Sequence, residues 1–80
     1  MIVEYGTIQS DGSVFETDGR THWLPIRGTD EEGYPEVLLD AKDVGGSGFF
    51  RAQSIKPFIG MKVSFVRVDK NSGPFNHTIV

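Results

Sequence analysis

The most constraining feature of the sequence is a strand, a polar turn and a second strand within residues 60–80. Val63, Phe65 and Val68 give the first segment the β-branched and aromatic composition that is typical of strands. Residues 69–74 are dominated by turn-forming types and end in Gly-Pro. An isolated hairpin is marginally stable in water, so the remainder of the chain has to provide strands that pair with it.

Three short upstream segments also have the composition of strands, at residues 2–9, 13–17 and 21–26. They are separated by Asp-Gly pairs at residues 11–12 and 18–19, and Asp-Gly is a strong signal for a tight hairpin turn. The order of strands and turns therefore predicts a meander that precedes the closing hairpin.

Five short strands predict an all-β fold, and residues 1–80 are expected to form a single domain. A small five-stranded antiparallel Greek-key barrel of the OB-fold type suits this length, because closure removes exposed strand edges. An SH3-like barrel is the alternative, since its strands have a similar pattern. Residues 36–44 fit either a helical turn or a short buried strand, and residues 29–35 read as an acidic loop.

Composition excludes several classes of protein. The chain has no cysteine, so it holds neither a disulfide nor a thiolate metal site. It has no apolar stretch long enough to cross a membrane and no signal-peptide pattern, so we expect a soluble, cytoplasmic protein. The net charge of −3 is unevenly distributed, because residues 30–43 are strongly acidic whereas residues 51–80 carry five bases and one acid. A basic face is therefore conceivable on the C-terminal third.

The closing hairpin resembles the last two strands of the cold-shock domain family, through Gly60-Met61-Lys62-Val63-Ser64-Phe65 and the following Gly73-Pro74. Gly6-Thr7-Ile8 is similar to the opening of that family, and Gly48-Phe49-Phe50-Arg51 is similar to one of its loops. The aromatic-rich second and third strands of the family are reduced here to Phe15 and Trp23. The resemblance implies an OB-fold that binds single-stranded nucleic acid, with an insertion from about residue 29 to residue 46.

Single-stranded nucleic acid is held by bases stacked on aromatic faces beside a positive track. If Val14 and Leu24 point inward, Phe15 and Trp23 point outward and share one face, whereas a one-residue slip would bury both. Two more phenylalanines follow a glycine-rich segment that would let them close over this platform. The expected nucleic-acid-binding residues are Phe15, His22, Trp23, Phe49, Phe50, Arg51, Lys56, Lys62, Arg67, Lys70 and Phe75.

Catalysis has little support in the sequence. His22 and His77 are the only histidines, and no acid lies at a sequence spacing that would by itself fix a histidine tautomer. The acidic run at residues 30–32 lacks the spacing of a calcium loop. We therefore expect neither an enzyme nor a bound cofactor or metal.

Two functions from different classes remain open. The first is binding of single-stranded DNA or RNA with low sequence specificity, by aromatic stacking and a basic rim. The alternative is a protein–protein interaction module on the same barrel, which would use the acidic residues 29–43 to hold a protein partner or a second copy of itself.

Overall fold

The structure, a computed structural model, describes residues 1–40 and 50–80. Within these ranges lie eight strands and a single 3-10 turn (Lys56–Phe58), and no helix is long and apolar enough to cross a membrane. The strands are β1 (Ile2–Ile8), β2 (Ser13–Glu16), β3 (Thr21–Trp23), β4 (Ile26–Thr29), β5 (Pro35–Asp40), β6 (Phe50–Ser54), β7 (Lys62–Arg67) and β8 (Phe75–Ile79).

The larger sheet contains five antiparallel strands in the order β3-β2-β1-β7-β8. These are the three segments of the expected meander and the two strands of the expected hairpin, so the all-β prediction is confirmed. The sheet curls until its two edge strands meet, because the rings of His22 on β3 and His77 on β8 lie 5.0 Å apart between centroids. The result is a curled antiparallel sheet of the kind that forms small barrels.

The smaller sheet has the order β4-β5-β6 and is also antiparallel. Sequence analysis left residues 36–44 open between helix and strand, and the structure shows a strand at Pro35–Asp40. Strand β4 was not predicted, because sequence analysis ended the third strand at residue 26 and assigned residues 29–35 to a loop. The β4 strand contains a register shift between Ile26 and Gly28, which hides its pattern.

Asp30 organises the turn between β4 and β5. Its Oδ1 accepts hydrogen bonds from the backbone N–H groups of Glu32 and Tyr34, each at 2.9 Å. Its Oδ2 accepts a hydrogen bond of 2.6 Å from the hydroxyl of Ser54, at the end of β6. One carboxylate therefore ties all three strands of the smaller sheet together at one end, and this explains part of the acidic run.

Both sheets contribute to a single core. Val37 and Leu39 of β5 are fully buried, together with residues of the larger sheet such as Phe65. Two residues of the segment that the family resemblance treats as an insertion therefore belong to the domain interior. The buried apolar residues are Ile8, Val14, Leu24, Val37, Leu39, Ile55, Phe58, Val63 and Phe65.

The strands β1 and β2 approach each other closely at Gly6. A Cβ atom at this position would lie 2.5 Å from Cγ1 of Val14 and 2.7 Å from the carbonyl oxygen of Phe15. Real side chains do not tolerate such distances, so residue 6 has to be glycine for the two strands to pack in this way.

Candidate nucleic-acid interface

The outward face of the larger sheet carries exposed aromatic rings. Val14 and Leu24 are buried in the core, whereas Phe15 is 53% exposed and Trp23 is 60% exposed. Phe15 lies opposite Thr21 in the β2–β3 register, so Phe15 and Trp23 are diagonal neighbours on adjacent strands. Such neighbours are typically about 7–8 Å apart, within reach of large aromatic side chains.

Tyr5 and Lys62 extend this face across β1 and β7. Thr7 lies opposite both Phe15 and Lys62, and Tyr5 lies two residues away on the same side of β1. The ammonium of Lys62 stands 4.6 Å from the centroid of the Tyr5 ring, a cation–π distance. Tyr5 was missed by sequence analysis, although its alternation with the inward residues of β1 was a usable signal. The outer aromatic face, as the term is used below, consists of Tyr5, Phe15, Trp23 and Lys62.

Lys56 and Lys70, which were also expected at the interface, do not join this face. Lys56 forms an ion pair of 2.6 Å with Glu32 and lies 5.5 Å from the ring centroid of Tyr34, beside the smaller sheet. Lys70 is exposed in the turn after β7, at the opposite end of that strand from Lys62. The basic rim is therefore represented by one lysine among the residues whose side chains the structure describes.

Arg67 was expected to contact phosphate, but the structure places it in the interior, where it is 4% exposed. Its Nη1 and Nη2 donate to the two carboxylate oxygens of Glu16 at 2.9 and 2.8 Å. Nη1 also donates to Glu4 at 3.0 Å, and Nε donates to the carbonyl oxygen of Ser72 at 3.0 Å. The guanidinium is fully engaged inside the domain, so it is not available to a nucleic-acid backbone.

His22 was also expected at the interface, and it too points inward, away from the outer aromatic face. Its Nδ1 lies 2.6 Å from Oε2 of Glu16, and its Nε2 lies 2.8 Å from Nε2 of His77. Sequence spacing alone did not indicate an acid beside either histidine, and the fold places Glu16 beside His22. Glu16 has the same alternation as the buried Val14, and it faces His22 across the β2–β3 hairpin.

The protonation of this chain of contacts follows from the charge on Glu16. Hydrogen bonds from Arg67 lower the pKa of Glu16 to about 2, so its carboxylate only accepts. The nitrogen of His22 that faces this carboxylate, Nδ1, must therefore carry a proton. Burial, with a smaller electrostatic effect of His22, lowers the pKa of His77 to about 4. We call Glu4, Arg67, Glu16, His22 and His77 the buried network.

A cleft opens above the buried network, between the edges β3 and β8. It has a volume of about 310 Å³ and contains the last residue of the network, His77. Phe75, expected at the interface, lines this cleft with Trp23. The complete lining is Trp23, Pro25, Leu38, Pro74, Phe75, Asn76 and His77.

The aromatic pair expected to close over the platform cannot be placed. Phe49 lies outside the described residues. Phe50 and Arg51 form the start of β6, where Phe50 is paired with Asp40, and their side chains lie outside the description.

Three carboxylates converge near the buried network, with oxygens of Glu4, Glu16 and Asp18 within 4.8 Å of one another. Arg67 lies between Glu4 and Glu16, and Nε of Arg20 lies 2.8 Å from Oδ2 of Asp18. Two guanidinium groups are thus paired with the three carboxylates, and the cluster is an ion-pair network rather than an open cation site.

Comparison with known proteins adds no relative. No family model matches the chain, and no curated protein or solved structure matches it either. Any functional conclusion therefore depends on the geometry of the chain itself.

Proposed function

We propose that the protein binds single-stranded DNA or RNA with little sequence preference, on a barrel of the cold-shock-like OB type. The strand order β3-β2-β1-β7-β8 supports this fold, because a meander is followed by a hairpin whose first strand pairs with β1. In this scheme the smaller sheet is an insertion between the third and fourth strands of the barrel.

The observation that carries the proposal is the exposure of Phe15 and Trp23 on one side of the sheet. The described part of the chain has a core of buried apolar residues, yet two of the largest aromatic side chains are left in water beside each other. Stacked bases cover such rings and gain about 1–3 kcal/mol per base, whatever the base. Lys62 would provide the nearby positive charge for a phosphate.

Binding is tested by titrating the protein with oligo-dT and oligo-U at low salt while the fluorescence of Trp23 is recorded. We expect quenching, and we expect Phe15→Ala to weaken binding by roughly 5- to 150-fold, the equivalent of one lost stacking contact. Val68→Ala is the matched control, because Val68 is an exposed apolar residue outside the outer aromatic face. Unchanged fluorescence at high oligonucleotide concentration would contradict the proposal and would favour the protein-interaction alternative.

The role of Lys62 is tested by the salt dependence of binding. Loss of one phosphate contact on a single strand reduces the slope of log K against log salt by about 0.7. Lys62→Ala should produce this change, whereas Lys56→Ala should not, because Lys56 is paired with Glu32. Equal salt-dependence slopes for the two variants would show that Lys62 does not contact a phosphate.

The acidic segment at residues 29–43 does not provide a clean test of the alternative. Its described part includes Val37 and Leu39, which are fully buried in the shared core. Deleting the segment would therefore disturb the fold as well as any partner surface, and point substitutions on the outer aromatic face discriminate better.

A further inference from the structure

The cleft between β3 and β8 has aromatic walls and a polar floor. Trp23 and Phe75 line it together with Pro25, Leu38 and Pro74, and Asn76 and His77 provide its polar side chains. A concave apolar site with a few polar groups is the usual form of a small-ligand pocket.

The absence of charge in the cleft limits the kinds of ligand that it can bind. None of the seven lining residues carries a charge at neutral pH, because burial keeps His77 neutral. An uncharged, largely apolar site would take a phosphate or a charged peptide side chain poorly, since desolvating an unpaired charge is costly. A flat, uncharged aromatic ring could stack on the aromatic lining residues, and it brings no charge that would have to be desolvated.

The buried network occupies one ring nitrogen of His77 and leaves the other for a ligand. Nε2 of His77 lies 2.8 Å from Nε2 of His22, so this atom is engaged within the domain. Among the side chains that the structure describes, none forms a hydrogen bond with Nδ1 of His77. An imidazole nitrogen that carries no proton accepts a hydrogen bond from a ligand N–H group.

Trp23 connects the cleft to the outer aromatic face, because it belongs to both. A strand of nucleic acid stacked on Phe15 and Trp23 would pass directly beside the mouth of the cleft. We propose that the cleft takes one unstacked base of that strand, lying against Trp23 and Phe75, with an N–H group of the base donating to His77. This proposal rests on the proposed function and extends it, because it predicts a preference at one position.

The test compares an oligo-dT with the same oligonucleotide built from N3-methylthymine, which stacks but lacks the N3–H donor. Affinity is measured by fluorescence anisotropy of the labelled oligonucleotide, and an oligo-U pair repeats the comparison for RNA. We expect methylation to weaken binding by about 2- to 13-fold, the range for one hydrogen bond. In His77→Phe, which keeps a ring in the cleft, methylation should make no difference.

A second variant covers the case in which His77→Phe does not fold. Leu38→Trp places bulk at a half-buried position in the wall of the cleft and should weaken oligo-dT binding at least 5-fold. Ile59→Trp is its control and should bind as well as the wild type, because Ile59 is a partly exposed apolar residue that lies outside the lining of the cleft and outside the outer aromatic face. The cleft proposal would be overturned if the wild type bound the methylated and unmethylated oligonucleotides equally and Leu38→Trp bound oligo-dT as tightly as the wild type. If Phe15→Ala still weakened binding in that case, the proposed function would remain intact. No binding of any oligonucleotide would overturn both.

Discussion

The two faces of the larger sheet differ in a way that reverses the usual distribution of side chains. Soluble domains keep charged groups at the surface and bury large aromatic ones. Here β1 directs Glu4 toward the ionic interior, whereas its neighbour Tyr5 lies on the outer aromatic face. β2 repeats the pattern, with a buried Glu16 next to an exposed Phe15. The inner face holds the domain together, whereas the outer face leaves its aromatic rings exposed.

Substitutions on the two faces should differ in their effect on the stability of the protein. A buried ion pair is tolerated only when every partner is present, because each ion has lost its hydration. The inner face should therefore respond strongly to single substitutions, and the outer face should affect binding alone. The following predictions test this difference, beginning with the largest expected effect.

Removing the cation of the buried network should have the largest effect. Arg67→Met leaves the carboxylate of Glu16 buried without its partner, and we expect the free energy of unfolding to fall by about 3–5 kcal/mol. Urea denaturation measures this change. Lys56→Met is the control, because the side chain of Lys56 is 50% exposed and its ion pair with Glu32 lies at the surface, where such a pair is worth about 0–1 kcal/mol. Equal losses in the two variants would show that the interior pair has no special weight.

Lowering the pH should reduce the free energy of unfolding, because His77 is buried in the inner face. Its pKa is about 4 in the folded protein and 6.5 ordinarily, so between these values the unfolded chain binds a proton that the folded protein does not. Stability is therefore complete above about pH 6.5 and decreases as the pH falls toward 4. The loss is about 3 kcal/mol over this window.

Chemical denaturation at a series of pH values measures that decrease. His77→Gln removes the titrating group but keeps a hydrogen-bonding side chain, so its stability should be nearly flat between pH 6.5 and 4. A wild-type slope that survives in His77→Gln would assign the pH dependence to another residue.

The close approach of β1 and β2 should be the next most sensitive feature. Gly6→Ala introduces a methyl group that overlaps the side chain of Val14 and the backbone of Phe15, and we expect a loss of about 1–3 kcal/mol. Gly73→Ala is the control, because a methyl group at Gly73 meets nothing within 4 Å. Thermal unfolding compares the two, and an unchanged midpoint in Gly6→Ala would mean that the strands can separate at little cost.

The outer face should have the smallest effect on stability. Phe15→Ala removes an exposed ring that contributes nothing to the core, so the free energy of unfolding should change by no more than about 0.5 kcal/mol. The same protein should bind oligo-dT less tightly. If its stability falls by several kcal/mol, Phe15 is a structural residue and the distinction between the two faces is lost.

Sequence reasoning located the strands of the larger sheet because each has its own local signal. Asp-Gly turns bracket β2, and the valines and phenylalanine of β7 mark that strand without reference to anything else. β4 and β5 lack such signals, since Ile26 and Gly28 flank a register shift and the acids at residues 30–32 suggest a loop. β4 pairs with β5, and the pairing of β5 with β6 depends on contacts more distant in sequence, which local patterns do not encode.

Part of the candidate site was predicted, because the direction of a side chain on a strand also has a local sequence signal. Alternation from Val14 and Leu24 was enough to send Phe15 and Trp23 outward, and the structure agrees. Applied one step further, the same alternation would have sent Glu16 inward. It was not applied because charged residues are expected at the surface. Arg67 was misassigned by that expectation, since basic residues were grouped by sequence region and not by the face of the strand.

The pairing of β1 with β7 also determines when the polypeptide can fold. Ile2 lies opposite Arg67 and Thr7 lies opposite Lys62, so the central ladder joins residues separated by most of the chain. Long-range ladders of this kind slow folding, because the loop must close before the contacts form. During synthesis the first strand therefore leaves the ribosome with one edge unpaired until residues 62–67 follow. Throughout that interval it is open to association with other nascent chains.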